Sequence, residues 1–134
     1  MANLFPTDVV ITSDSSKYKT TIKAGKHTLI ADEPFAVGGG ELGPMPSEFL
    51  AAALGSCTNI TIRMYAERKG FPLESVEISI NIDKISADDN KFIRKLKLNG
   101  NLTDEQRERL LQVANACPVH KILSGKIQIE TSLV

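Results

Sequence analysis

The chain has no tryptophan and only two histidines and two cysteines, and aromatic residues make up 5% of its 134 positions. It also lacks a charge excess: sixteen basic residues balance sixteen acidic ones. A domain that grips nucleic acid normally carries a basic stripe, so nucleic-acid partners are disfavoured. No long hydrophobic run is present. The longest, Phe49 to Leu54, falls far short of the roughly 20 residues a membrane span needs. The first residues show neither a basic cluster nor the apolar stretch of a signal peptide. A cytoplasmic location is the default expectation, with no membrane partner. In a reducing compartment two cysteines read as free thiols or a transient pair rather than a structural staple.

Two further chemistries are poorly supported. Only Cys117-Pro118-Val119-His120 offers closely spaced metal-ligand types, so no metal site is expected. Gly38-Gly39-Gly40-Glu41-Leu42-Gly43 satisfies a glycine fingerprint by letter. However, no strand-helix-strand unit surrounds it, and Arg63 stands where the acidic partner belongs. The segment reads as a flexible loop, able to act as a lid, and no cofactor is expected.

What is present is a chain of one-domain length, 1–134, with α+β patterning. Val9 to Thr12, Tyr18 to Ile22 and His27 to Ala31 read as short strands. Pro46 opens a helix predicted to run to Lys69, with Gly70 as its stop. Its first half is apolar on all sides, and Ala51, Ala52, Ala53, Gly55 and Ser56 leave room for a second backbone. A partner subunit is therefore expected to help bury it. Val76 to Ile82 alternates as a strand, followed by Phe92 to Leu98, on whose outward face Arg94, Lys95 and Lys97 are placed. Thr103 and Gln106 form a capping-box signature. Pro118 starts a short turn of helix, and Ile127 to Thr131 reads as a closing strand. The expected order is βββ-α-ββ-α-α-β.

The cysteines are the candidate reactive groups. Cys57 lies mid-helix on an apolar stripe, where core packing alone accounts for it. Cys117 precedes Pro118 at a helix start, with His120 three residues on, and locally looks the more thiolate-prone. Sequence spacing alone does not bring the two together.

Two segments carry a resemblance. Pro44-Met45-Pro46-Ser47-Glu48-Phe49-Leu50-Ala51-Ala52-Ala53-Leu54-Gly55-Ser56-Cys57-Thr58, followed by Arg63-Met64-Tyr65-Ala66, and the distant Ala116-Cys117-Pro118-Val119-His120 resemble the OsmC/Ohr superfamily. The resemblance implies an OsmC-like α+β fold and an intertwined homodimer with its sites at the subunit interface. It implies that Cys57 attacks an organic hydroperoxide and that Cys117 resolves the resulting sulfenic acid to a disulfide. A dithiol, of lipoyl type in the best-described members, then restores the thiols. The peroxidase branches pair an N-terminal Arg with a Glu directly after the helix-opening Pro. Here no Arg precedes Arg63, and Ser47 holds the Glu position with Glu48 one place later. Candidate replacements for the activating cation are Lys17, Lys19, Lys23, Lys26 or Arg63 of either subunit. Glu48 is a candidate to orient it, and His120 points to a different activation scheme.

The expected function is thus a thiol-dependent peroxidase using Cys57 and Cys117, with Glu48, Arg63 and His120 as supporting site residues. Two alternatives belong to other classes. One is a binding protein for an apolar small molecule; the other is a stoichiometric redox sensor or disulfide-exchange protein.

Overall fold

The computed structural model describes residues 2–134. The chain divides into two compact units, the first ending at Leu50 and the second comprising Ala51–Val134.

The first unit is built on an antiparallel three-stranded meander of β1 (Val10–Ser13), β2 (Thr20–Ala24) and β3 (His27–Ala31). Gly25, at φ 60°, supplies the left-handed residue of the β2–β3 turn. Beyond β3 the glycine-rich segment is pinned rather than loose. Asp32, only 3% exposed, accepts the backbone N–H of Glu33 at 2.7 Å and of Leu42 at 3.3 Å, and its own N–H donates to the Pro44 carbonyl at 3.1 Å. A Cβ on Gly43 would fall 2.0 Å from the Ile30 carbonyl oxygen, so only glycine fits there. The expected flexible lid is therefore a tied loop, because a buried carboxylate must be satisfied and the loop N–H groups satisfy it.

Helix α1 spans Pro46–Lys69 as its sequence predicts, and Glu48 closes its first turn by accepting the Met45 N–H at 2.9 Å. Leu54, Thr58, Ile62 and Ala66 recur at i+4 and form its buried stripe. Of the apolar run Phe49 to Leu54 only Leu54 is buried within the chain; Leu50, Ile60 and Met64 stay exposed.

In the second unit, β4 (Leu73–Lys84) and β5 (Asn90–Gly100) form an antiparallel ribbon, with Ile80 opposite Arg94 and Ile78 opposite Leu96. Helix α2 (Asp104–Ala114) starts with the expected capping box: Thr103 accepts the Gln106 N–H at 3.1 Å, and Gln106 accepts the Thr103 N–H at 3.0 Å. Arg107 ties this helix to the ribbon by donating to the carbonyls of Leu98 and Gly100. The core gathers Ile62, Ala66, Leu102, Leu110, Val113 and Ala114. Helix α3 (Pro118–Ser124) follows.

The architecture is α+β, with helices and antiparallel strands segregated. One element differs from the expected order. The segment over Ile127 to Thr131 forms no ladder among the described residues, and Ile129 is 88% exposed. Alternation prepares a segment for a sheet, but a strand exists only where its backbone groups find a partner edge.

Two stability outcomes follow from these contacts. Leu110→Ala, at a site with no exposure, should cost about 2–5 kcal/mol in urea unfolding. Asp32 holds its proton less tightly than an ordinary carboxyl, because the Glu33 N–H outweighs burial and the Leu42 and Gly40 N–H groups add to it. Its contribution is therefore full above the unfolded value, about 3.9, and is lost as pH falls through the lower folded value. Asp32→Asn should lower the urea midpoint at neutral pH and flatten its acid dependence in that range. An unchanged neutral midpoint would remove the pinning role.

Candidate functional site

The site lies in the second unit and is assembled on one cation. Arg94 sits on the face of β5 that also carries Phe92, Leu96 and Leu98, and all four are half-buried, whereas Lys95 and Lys97 point to solvent. The sequence reading grouped Arg94 with those lysines. Period-two alternation assigns it instead to the inward face, and that signal was available in the sequence.

From there the guanidinium reaches three elements. Its Nη1 donates to Thr58 Oγ1 on α1 at 3.0 Å. Its Nη2 donates to Asn115 Oδ1, the residue capping the C-terminus of α2, at 3.0 Å. Nη2 also faces His120 Nδ1 on α3 at 3.2 Å. Arginine has no acceptor, so Nδ1 must accept and the ring proton belongs on Nε2.

Cys117 is fully buried at the centre of this group. As N-cap of α3 its Sγ accepts the His120 N–H at 3.2 Å, and the Thr58 hydroxyl lies 3.7 Å away. Burial pushes the Cys117 thiol up. The His120 N–H, the Thr58 hydroxyl, the Cys57 thiol and the positive charge of Arg94 together outweigh it, leaving the thiol more acidic than usual. Cys57, one residue before Thr58, is half-exposed. Both thiols are free.

The Thr58 hydroxyl has a single proton and two acceptors, since it also meets the Leu54 carbonyl at 2.6 Å. The carbonyl is the better acceptor for a neutral thiol partner; a thiolate at Cys117 competes for that proton. The hydroxyl can therefore respond to ionisation without moving its carbon frame.

A cavity of about 290 Å³ opens beside Arg94, His120 and Asn115, with Leu54, Phe92 and Leu96 in its walls. A smaller one of about 130 Å³, lined by Leu54, Phe92, His120, Leu123 and Ser124, shares part of that lining. Its surroundings are apolar with a polar end.

The remaining sequence candidates lie apart from this cluster or outside the second unit. Arg63 donates to Asn59 Oδ1 at 2.9 Å on the solvent side of α1. It lines a broad open cavity of about 530 Å³ with Ala52, Gly55, Ile60 and Ile80. Glu48 is occupied at the Met45 N–H in the first unit. Of the candidate residues, the fold gathers Cys57, Cys117 and His120, and it adds Thr58, Arg94 and Asn115.

This arrangement can be set beside known proteins. The family model for OsmC-like proteins matches residues 38–132. The chain belongs to the OsmC-like family. Solved structures with the same fold include an OsmC-like protein from Mycoplasma pneumoniae, at 16% identity and TM-score 0.71, covering 88% of this chain and 86% of that one. The organic hydroperoxide resistance protein OsmC from Legionella pneumophila is 21% identical, with TM-score 0.66 over 92% and 93% of the two chains. The organic hydroperoxide resistance protein OhrB of Bacillus subtilis is 22% identical, with TM-score 0.63 over 92% and 93%. No curated protein matches significantly. No helix among the described residues is long and apolar enough to cross a membrane.

Thr58→Val removes the hydroxyl that Arg94 and Cys117 share. It should destabilise the fold by about 1–3 kcal/mol, because a half-buried charged donor loses its partner. Urea unfolding of the reduced protein measures this; a variant as stable as the parent contradicts the shared-hydroxyl account.

Proposed function

We propose that this OsmC-like chain is a thiol-dependent peroxidase that reduces organic hydroperoxides through Cys57 and Cys117. The observation that carries the reading is a fully buried Cys117 thiol held by the His120 N–H and the hydroxyl of Thr58, the residue after the half-exposed Cys57, with Arg94 and His120 also lining a cavity of mixed apolar and polar walls. Two solved proteins of the same fold are organic hydroperoxide resistance proteins, which supports the substrate class.

In this reading Cys57 sulfur attacks the outer oxygen of the peroxide. The O–O bond breaks, an alcohol leaves, and Cys57 becomes a sulfenic acid. Cys117 thiolate then attacks the Cys57 sulfur, the S–O bond breaks, and the departing hydroxide takes a proton to become water. An external dithiol reduces the disulfide in two exchanges and is itself oxidised to a disulfide. The apolar walls at Leu54, Phe92 and Leu123 favour an organic substituent over hydrogen peroxide. A free thiol pair of this kind suits a cytoplasmic setting, where reductants keep it cycling.

The second part of the proposal is a homodimer. The open face of α1 carries Ala51, Ala52, Gly55 and Ser56 beside exposed Ile60 and Met64. Small residues permit a close approach of two helices, and a second copy of this face is the occupant we assign.

With cumene hydroperoxide and a dithiol, the protein should consume peroxide catalytically, and Cys57→Ser should reduce turnover to the uncatalysed rate. One equivalent of peroxide alone should lower the intact mass by two hydrogens. Turnover surviving in Cys57→Ser would falsify the mechanism, and disulfide formation without sustained turnover would favour a redox sensor. Sedimentation equilibrium should give twice the chain mass, with Ile60→Glu shifting it toward the monomer. A monomeric parent protein rejects the dimer.

A further inference from the structure

A separate cluster in the second unit takes no part in the cysteine chemistry. It surrounds Tyr65, whose ring packs on the core and meets Phe71 edge-on at 5.9 Å between centroids. Three cations stand around this fixed ring. The guanidinium carbons of Arg68 and Arg109 both lie 5.3 Å from its centroid, and Lys69 Nζ lies at 5.9 Å. Arg109 is held by two acceptors: its Nε donates to the Tyr65 hydroxyl at 2.8 Å and its Nη1 to Gln112 Oε1 at 3.2 Å. Those two bonds leave the Nη2 protons for another acceptor.

Both arginines line a groove of about 380 Å³ between α1 and α2. Met64, Val113 and Ala116 give it an apolar floor, and none of its lining side chains is acidic. The carboxylates of α2, Asp104, Glu105 and Glu108, line a different opening that shares only Arg109 and Gln112 with the groove. The positive potential registers on the ring itself. The Arg109 hydrogen bond, joined by the charges of Arg109, Lys69 and Arg68, outweighs burial and leaves the Tyr65 phenol more acidic than usual.

We propose that this groove binds an organic carboxylate, its head between Arg68 and Arg109 and its apolar body along Met64, Val113 and Ala116. Like charges gathered on one ring repel each other, and a bound anion relieves that repulsion. A guanidinium presents paired N–H donors to the two oxygens of a carboxylate, a match that an alcohol lacks. The apolar floor asks for a hydrocarbon body, so a bare inorganic anion fits only half of the site. Every residue of the site comes from one chain. Met64 also edges the face assigned to a second copy, so the groove borders that contact. No thiol is involved, and the site stands apart from the peroxidase reading.

The test is calorimetric titration of octanoate into the reduced protein. Octanoate should bind saturably at one site per chain. Acetate and inorganic phosphate, which lack the body, and 1-octanol, which lacks the charge, should each bind at least roughly tenfold more weakly. Arg68→Gln should weaken octanoate roughly tenfold, and adding Arg109→Gln should weaken it further, with circular dichroism confirming the fold. If the double variant unfolds, Arg68→Gln decides alone, because Arg68 is exposed. Lys97→Gln removes the same charge from the solvent side of β5 and should leave the affinity unchanged. Parental affinity in Arg68→Gln, an equal loss in Lys97→Gln, equal affinity for 1-octanol, or no saturable binding overturns the proposal. The readout is binding rather than turnover, so failure of the peroxidase reading does not bear on it.

Discussion

The contacts of one guanidinium organise the second unit. Arg94 joins β5 to α1 through Thr58, to the end of α2 through Asn115, and to α3 through His120. Arginine keeps its charge when partly buried, so every one of these contacts must be met by an acceptor in a fixed direction. That requirement sets the rotation of α1 at Thr58 and the tautomer of His120. It also sets the surroundings of Cys117, which touches two of the three partners. A lysine could supply the charge but not the planar fork that spreads these donors over two nitrogens.

Helix α1 has two jobs on two faces. Leu54, Thr58, Ile62 and Ala66 follow the i+4 stripe into the core of the second unit. A neighbouring face, with Ala52, Gly55, Asn59 and Arg63, looks into an open cavity. Asn59 partly spans both: its amide donates to the Val76 carbonyl at 2.9 Å while its oxygen accepts from Arg63. Arg63 is thereby held along the outer face of the helix, and the burial of Cys117 is arranged without it. The guanidinium near Cys117 comes instead from strand β5.

Much of the fold was legible because its signals are local. Pro46 at a helix start, the Thr103–Gln106 box and the Pro118 turn each depend on a few adjacent residues, and all appear where the sequence places them. The approach of Thr58, next to Cys57, to Cys117 was not legible from spacing, since it depends on how α1 and the α2–α3 corner pack. Arg94 was legible but misread, because its charge was weighed above its parity with Phe92 and Leu96. The segment at Ile127 to Thr131 shows the reverse error: correct alternation, with no partner edge among the described residues.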